Sequence, residues 1–402
     1  MTSLLVTDIA ELVTNNPHAQ DLLGVRQNAA MLVEDGTVAW IGDTAQAPAA
    51  DEVVSATGRA VIPGFVDSHN HLIFAGDRSE EFAARMAGQA YSAGGIATTV
   101  SATREASAHQ LEGNLVRLLR QAEHSGTTTF EIKSGYGLTV ESELEALRIA
   151  RRHTAETTLM AAHVVPAEYK EAPDNYVDLI IEQMIPRAAQ EGLAKWIDVF
   201  CEEGAFDIEQ TRRIVEAGLA HGLKPRLHAN QLSDMGAMAL AAEVGAVSAD
   251  HATFVSDEDL ARIAEAGTVL TLLPSIEFST RQPYPDVRRY HEAGITVAIA
   301  SDCNPGSGFS NSIPFCMAIA VRDMHFTVEQ ALWSATAGGA RALQRTDVGA
   351  LTVGSRADFS ILDAPSYRHL VYRPGVQQIA AVYRAGTQIS SNPSPFTCKE
   401  LP

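Results

Sequence analysis

Hydrophobic and polar positions divide the chain into three stretches of different texture. From residue 1 to about 60, apolar positions come in short runs broken by turn residues. Ala29–Val33 and Thr37–Ile41 flank Glu34-Asp35-Gly36, a strong hairpin signal. The far end has the same texture: Asp358–Leu362 and Gln378–Tyr383 are strand-like, and Gly386 marks a turn. Two all-β fragments that bracket a different middle predict one small sheet assembled from both termini.

The middle alternates apolar strand runs with helical patterns, the signature of βαβ units. Strands are predicted to end near His71, Ser134, Val165, Cys201, Asn230, Thr253, Ser275 and Asp302. After the first gap the spacings are roughly 20 to 35 residues, room for a strand and its crossover helix. The first gap is longer and holds a Gly94-Gly95 loop and helical material from Thr103 to about His124. Eight such units predict a closed (β/α)8 barrel, with function at the C-terminal ends of its strands. An open doubly wound sheet would carry a glycine-rich phosphate loop after its first strand, and none stands there. The expected division is a β-sandwich portion over 1–61, the barrel over 62–351, and the remainder of the sandwich over 352–402.

Composition narrows the partners. A chain of 402 residues, 46% hydrophobic and 20% charged, is an ordinary globular protein with one large α/β domain and an accessory piece. A net charge of −19 argues against nucleic acid and anionic membranes, which reward basic patches. A small anionic substrate needs only one well-placed arginine. Cys201, Cys303, Cys316 and Cys398 show no Cys-x-x-Cys spacing, which argues against a disulfide framework or a thiolate zinc site. The first residues lack a basic n-region, and no apolar run reaches spanning length, so the expectation is a soluble, cytoplasmic protein. A homodimer is the default for a symmetric soluble enzyme.

Chemistry concentrates where apolar runs stop. In Val61-Ile62-Pro63-Gly64-Phe65-Val66-Asp67-Ser68-His69-Asn70-His71 a buried-looking run ends in a polar cluster. Residues i and i+2 of a strand share a face, so His69 and His71 can offer nitrogens to one point. A bare His-x-His is often only a turn satisfied by hydrogen bonds; the preceding Pro-Gly and the strand-end Asp67 favour a site. Of thirteen histidines, five fall at predicted strand ends: His69, His71, His163, His228 and His251. The others, among them His109, His153 and His291, read as solvated. The eighth strand runs into Ser301-Asp302-Cys303-Asn304-Pro305, which puts Asp302 at the barrel mouth; its plainer reading is a helix N-cap. His69, His71, His228 and Asp302 together suit zinc or iron. Such an ion lowers the pKa of a water in its shell toward neutrality, and Asp302 could take the second proton.

The Pro-Gly-x-x-Asp-x-His-x-His strand, the histidines of strands five and six, the strand-eight aspartate and the split β portion resemble the amidohydrolase superfamily. Ala357-Asp358-Phe359, after Gly349 and Gly354, resembles that superfamily's return into the small sheet. Narrower motifs run in order from about residue 60 to 350. They are Phe74–Arg78, Glu131–Leu138, His163–Pro166, Leu227–Gln231 and Ser301–Gly306. These resemble the superfamily branch that opens the imidazolone ring of a propionate-bearing substrate in histidine degradation. The resemblance implies one metal, Zn2+ or Fe3+, on His69, His71, His228 and Asp302. It also implies that Arg78, Tyr136, His163 and Gln231 contact substrate, and that Asn304, Gly306 and Ser307 hold the portion that becomes product. Arg78 offers a bidentate fork for a carboxylate. His163 and His251 could polarise a carbonyl or move protons.

One departure matters. Some members carry Glu where this chain has Gln231, and Gln accepts no proton at neutral pH. Gln231 is therefore expected only to orient water, and the catalytic base becomes Asp302, with His251 assisting. The superfamily's metal-bridging lysine belongs at the end of the fourth strand, which here reads Val199-Phe200-Cys201-Glu202; Lys195 is at the wrong end. One metal is expected rather than two, with Lys133 structural. The expected reaction is hydrolysis of 4-imidazolone-5-propanoate to N-formimidoyl-L-glutamate. The rivals are another mononuclear amidohydrolase, such as an aromatic-base deaminase, and a non-catalytic scaffold that would be expected to lack metal ligands.

Overall fold

The computed structural model describes residues 3–88 and 95–392; Gly94 and Cys398 lie outside them. Ser3–Leu12 is central to a small eight-stranded sheet. It pairs antiparallel with Arg26–Glu34, which continues to Thr37–Asp43, and parallel with Glu52–Ser55 and Ala60–Pro63. Ala60–Pro63 then pairs with Phe359–Leu362, followed by Ile379–Arg384 and Thr387–Ser391. Both ends of the chain thus share one sheet, as their common texture predicts. The expected hairpin closes at Glu34↔Thr37, with Asp35 and Gly36 at φ +48° and +77°. Positive φ at both central residues matches the turn's twist to that of the strands.

The middle forms eight parallel strands in sequential order. They are Phe65–Asp67, Thr127–Lys133, Glu156–Ala162, Trp196–Cys201, Lys224–Ala229, Ser248–His251, Val269–Leu272 and Val297–Ile299. All eight predicted strands are present. Between the first and the last, closure comes from bonds beyond the regular strands. Asp302 N donates to His69 O at 2.9 Å and His71 N to Cys303 O at 3.0 Å. The Asp67 carboxylate accepts Ser301 N at 3.0 Å and Ser301 Oγ at 2.6 Å.

Two expectations need correction. The first strand stops at Asp67, so His69 and His71 stand on the segment leaving it rather than on regular strand. That segment pairs with the one around Asp302, whose φ is +45°. Among the described residues the first crossover holds three helices, Ser79–Met86, Ile96–Glu105 and Ala108–His124, rather than one run from Thr103. A capping box at Ser107 and Gln110 interrupts that run by satisfying the free N–H groups of a new helix.

Apolar side chains fill the layer between strands and helices, as in the cluster of Leu144, Leu147, Ile180, Ile197 and Ile214. His291, expected to be solvated, is partly buried with its Nε2 unpaired. Cys201, Cys303 and Cys316 are buried free thiols. Among the described residues no helix is long and apolar enough to cross a membrane.

Candidate metal centre and active site

The strand ends depart from ideal geometry together. Asn230, His251, Ala252 and Asp302 all adopt positive φ, at +54°, +79°, +52° and +45°. Such backbone costs on the order of 1–3 kcal/mol per residue and persists only where surrounding contacts impose it. Of these four, His251 and Asp302 place their side chains in the cluster at the barrel mouth.

Five groups converge there. His69 Nε2 and His71 Nε2 lie 3.6 and 3.4 Å from Asp302 Oδ1. His228 Nε2 is 3.3 Å from His71 Nε2, and His251 Nε2 is 3.7 Å from Asp302 Oδ2. All are nearly inaccessible to solvent. Burial holds His69, His71 and His251 well below the usual imidazole range, which leaves neutral rings with lone pairs. Burial also pushes the Asp302 carboxyl well above its ordinary value.

The far sides of two rings are held by acids. Asp250 Oδ2 meets His69 Nδ1 at 2.6 Å, and Asp198 Oδ1 meets His228 Nδ1 at 3.1 Å. Such a carboxylate fixes the tautomer that points Nε2 inward. Both acids belong to a charged layer inside the barrel. Lys133 Nζ bonds Asp198 Oδ2 at 2.8 Å and Glu131 Oε1 at 2.9 Å, while Arg226 Nη2 bonds Asp250 Oδ2 at 3.1 Å. Against burial, His228 and Lys133 hold Asp198 well below the usual range, and Arg226 and Lys133 lower Asp250. Glu131, Asp198 and Asp250 outnumber Lys133 and Arg226, a formal excess of one buried negative charge.

These residues fit a single metal ion. His69 Nε2 and both ring nitrogens of His251 are buried without a hydrogen-bond partner. Buried polar atoms left so are costly unless something else satisfies them. The ligand atoms of His69, His71 and Asp302 lie within 4.8 Å of one another, as do those of His69, His228 and His251. Imidazole with carboxylate is a donor set for a borderline cation. A cation would also offset the excess negative charge. His251 therefore joins the four residues named from the sequence as a candidate ligand.

A pocket opens over this cluster. Arg78, Tyr136, His163 and Gln231 line it with His251 and Asp302, and so do Asn304 and Ser307. Gly306 instead lines the adjoining outer cavity, together with Arg78 and Ser307. His163 stacks on His71 with ring centroids 5.2 Å apart, and Gly135 O accepts from its Nδ1 at 3.1 Å. Burial lowers the His163 pKa to about 3. Asn304 is committed to its own loop: Gly306 N and Ser307 N donate to its Oδ1 at 2.9 and 2.8 Å, and its Nδ2 donates to Asp302 O at 2.8 Å. It shapes the pocket wall rather than presenting an idle amide.

Several residues escaped the sequence reading. Asp198, Arg226 and Asp250 sit inside barrel strands and hold the ligands from behind; Phe200, Ile96 and Val164 complete the pocket wall. A signal existed for the first group, since a charged residue inside an otherwise apolar buried strand must be paired. Lys133, expected to be structural, is fully buried between Glu131 and Asp198.

Fold and site define a metal-dependent hydrolase of the barrel type, and sequence comparison agrees. The amidohydrolase family model matches residues 60–389, and the chain belongs to the amidohydrolase family. Within it, the chain is similar to curated imidazolonepropionases. It is 59% identical over 387 residues to that of Mycolicibacterium smegmatis (strain ATCC 700084 / mc(2)155), covering 96% of this chain and 97% of the relative. Identity to that of Streptomyces griseus subsp. griseus is 55% over 391 residues, covering 97% and 100%. In fold it resembles a variant of atrazine chlorohydrolase from Arthrobacter aurescens TC1 complexed with zinc and atraton. That match has TM-score 0.73 and 16% identity, over 97% of this chain and 95% of the other.

Proposed function

We propose that the chain hydrolyses 4-imidazolone-5-propanoate to N-formimidoyl-L-glutamate, with one Zn2+ or Fe3+ held by His69, His71, His228 and Asp302. The observation that carries this reading is a single pocket with a guanidinium, Arg78, on its wall and the histidine–Asp302 cluster at its base. A carboxylate anchor and a hydrolytic centre are what a small anionic cyclic amide requires. The names of the relatives support the same substrate.

When bound, the metal supplies a Lewis acid that activates water and polarises the ring carbonyl. Arg78 binds the propionate carboxylate, and Tyr136 and His163 hold the ring. Gln231 orients the attacking water. Asp302 takes the water proton and delivers it to the ring nitrogen as the lactam C–N bond breaks, with His251 assisting. Asn304 and Ser307 hold the portion that becomes product, with Gly306 in the adjoining cavity beside them. We expect a cytoplasmic homodimer with no nucleic-acid partner, and the β portions over 1–61 and 352–402 to act as one unit beside the barrel at 62–351.

The test is a direct assay on freshly prepared imidazolone propionate, following loss of its ultraviolet absorbance. The comparison is protein stripped by a chelator and then reloaded with zinc or iron. Metal-dependent loss with formimidoyl-glutamate as product is the expected result. A metal-loaded protein that does not turn the substrate over would overturn the reading.

A further inference from the structure

Arg78 is held by a neighbour that the proposed reaction does not use. Glu81 stands three residues on, in the first turn of Ser79–Met86. It accepts from Arg78 Nε at 2.8 Å and from Nη2 at 2.7 Å. A guanidinium has two edges that can grip a carboxylate. Glu81 takes the side edge, Nε with Nη2; the other edge is Nη1 with Nη2. The Arg78 side chain is 5% exposed and that of Glu81 33%, so the pair reaches from the pocket wall toward solvent.

Two glycines lie against the pair, Gly306 against Arg78 and Gly95 against both side chains. A Cβ on Gly306 would lie 2.1 Å from Arg78 Nη1. A Cβ on Gly95 would lie 2.1 Å from Glu81 Oε2 and 2.4 Å from Arg78 Nη2. Gly95 has φ −67° and ψ −15°, ordinary right-handed backbone at the start of Ile96–Glu105. Gly95 is the helix N-cap, where Ser, Asn and Asp are favoured at least as much as glycine, and no positive φ calls for glycine there. The reason for glycine is space, and the space is filled by the ion pair.

We infer that Glu81 is the positioning residue for the substrate-carboxylate anchor: packed with Arg78 against Gly95, while Gly306 lies against the guanidinium, it clamps the guanidinium's side edge and fixes how the group is presented to the substrate. The inference rests on the reading of Arg78 as that anchor. A guanidinium free to swing would bind the propionate with more loss of freedom and poorer alignment. Glu81 therefore acts on recognition of the carboxylate and not on the chemistry at the metal.

The experiment compares imidazolone propionate with its uncharged methyl ester, in the metal-loaded full-length protein and in Glu81→Gln, Gly95→Ala and Arg78→Ala variants. Glu81→Gln should raise KM for the acid roughly tenfold while kcat changes little, and leave kinetics on the ester nearly unaltered. Gly95→Ala should do the same, because the new methyl displaces two side-chain ends rather than backbone. Equal effects on acid and ester, a lowered KM for the acid, or no change would overturn the inference. If Arg78→Ala leaves the preference for the acid intact, the anchor reading fails with it. If Arg78→Ala abolishes that preference and Glu81→Gln preserves it, the positioning role alone is lost. A wild-type protein that turns over neither compound would overturn both.

Discussion

Glu277 shows how burial, rather than residue type, sets the state of a side chain. It follows the seventh barrel strand, fully enclosed, and accepts from Thr253 Oγ1 at 2.8 Å while its Oε2 has no partner. Burial pushes its carboxyl up to about 7. The folded protein therefore holds this proton more tightly than the unfolded chain does. The associated stability is full below about pH 4.5 and lost as pH rises through about 7. Glu277→Gln keeps the acceptor for Thr253 and removes the titration. At pH 8.5 the variant should be more stable than its parent by roughly 3–4 kcal/mol, at about 1.4 kcal/mol per pKa unit over the rise from 4.5 to about 7. Near pH 5 the two should be alike. Denaturant midpoints at both values check this, and a margin independent of pH would contradict it. Nothing in Pro274-Ser275-Ile276-Glu277 distinguishes this carboxylate from a solvated one. The histidines were legible at this scale because two of them follow an apolar run at spacing two, and residue type and position carry that signal together.

At the scale of the element, the alternation along a barrel strand decides which residues share the interior face. Arg226 and His228 share a face of Lys224–Ala229: one joins the charged layer and the other reaches the mouth. Glu131 and Lys133 share a face of Thr127–Lys133 in the same way. The ligands are therefore only as well aimed as the strands that carry their supports. Asp198→Asn removes the charge behind His228 and one partner of Lys133. Metal affinity should fall about 10- to 100-fold, measured by competition with a chromogenic chelator, while kcat of the fully loaded enzyme falls less. Unchanged affinity would show that Asp198 serves only Lys133. All eight strands were legible because buried parallel strands read as apolar runs. Their exact ends were less so, since pairing partners set where a strand stops. The break at Ser107 was missed although Ser-x-x-Gln spells it out, because the apolar pattern continues through it.

At the scale of the molecule, the cluster joins the first, fifth, sixth and eighth strands, so a bound ion would tie the barrel where its regular pairing is incomplete. An ion that binds only the folded state adds about 4 kcal/mol of stability at a thousand times its dissociation constant. Chelation should therefore lower the thermal midpoint by several degrees, and metal should restore it; scanning calorimetry decides. A midpoint indifferent to metal would mean that the barrel is closed well enough by Asp67, Ser301 and the backbone bonds beside them. The sequence by itself determined the eight strand-and-helix units, the β fragments at both ends, and the polar residues at the strand ends. Each of these is a local pattern of burial and turn chemistry, written in neighbouring residues. Only the tertiary structure decided that Asp198 and Asp250 stand behind His228 and His69, that His251 turns into the cluster, and that Glu81 and Arg78 pack against Gly95. Those relations join residues from different elements, and which strands or loops come to face one another is fixed by closing the barrel, not by any local run of the chain.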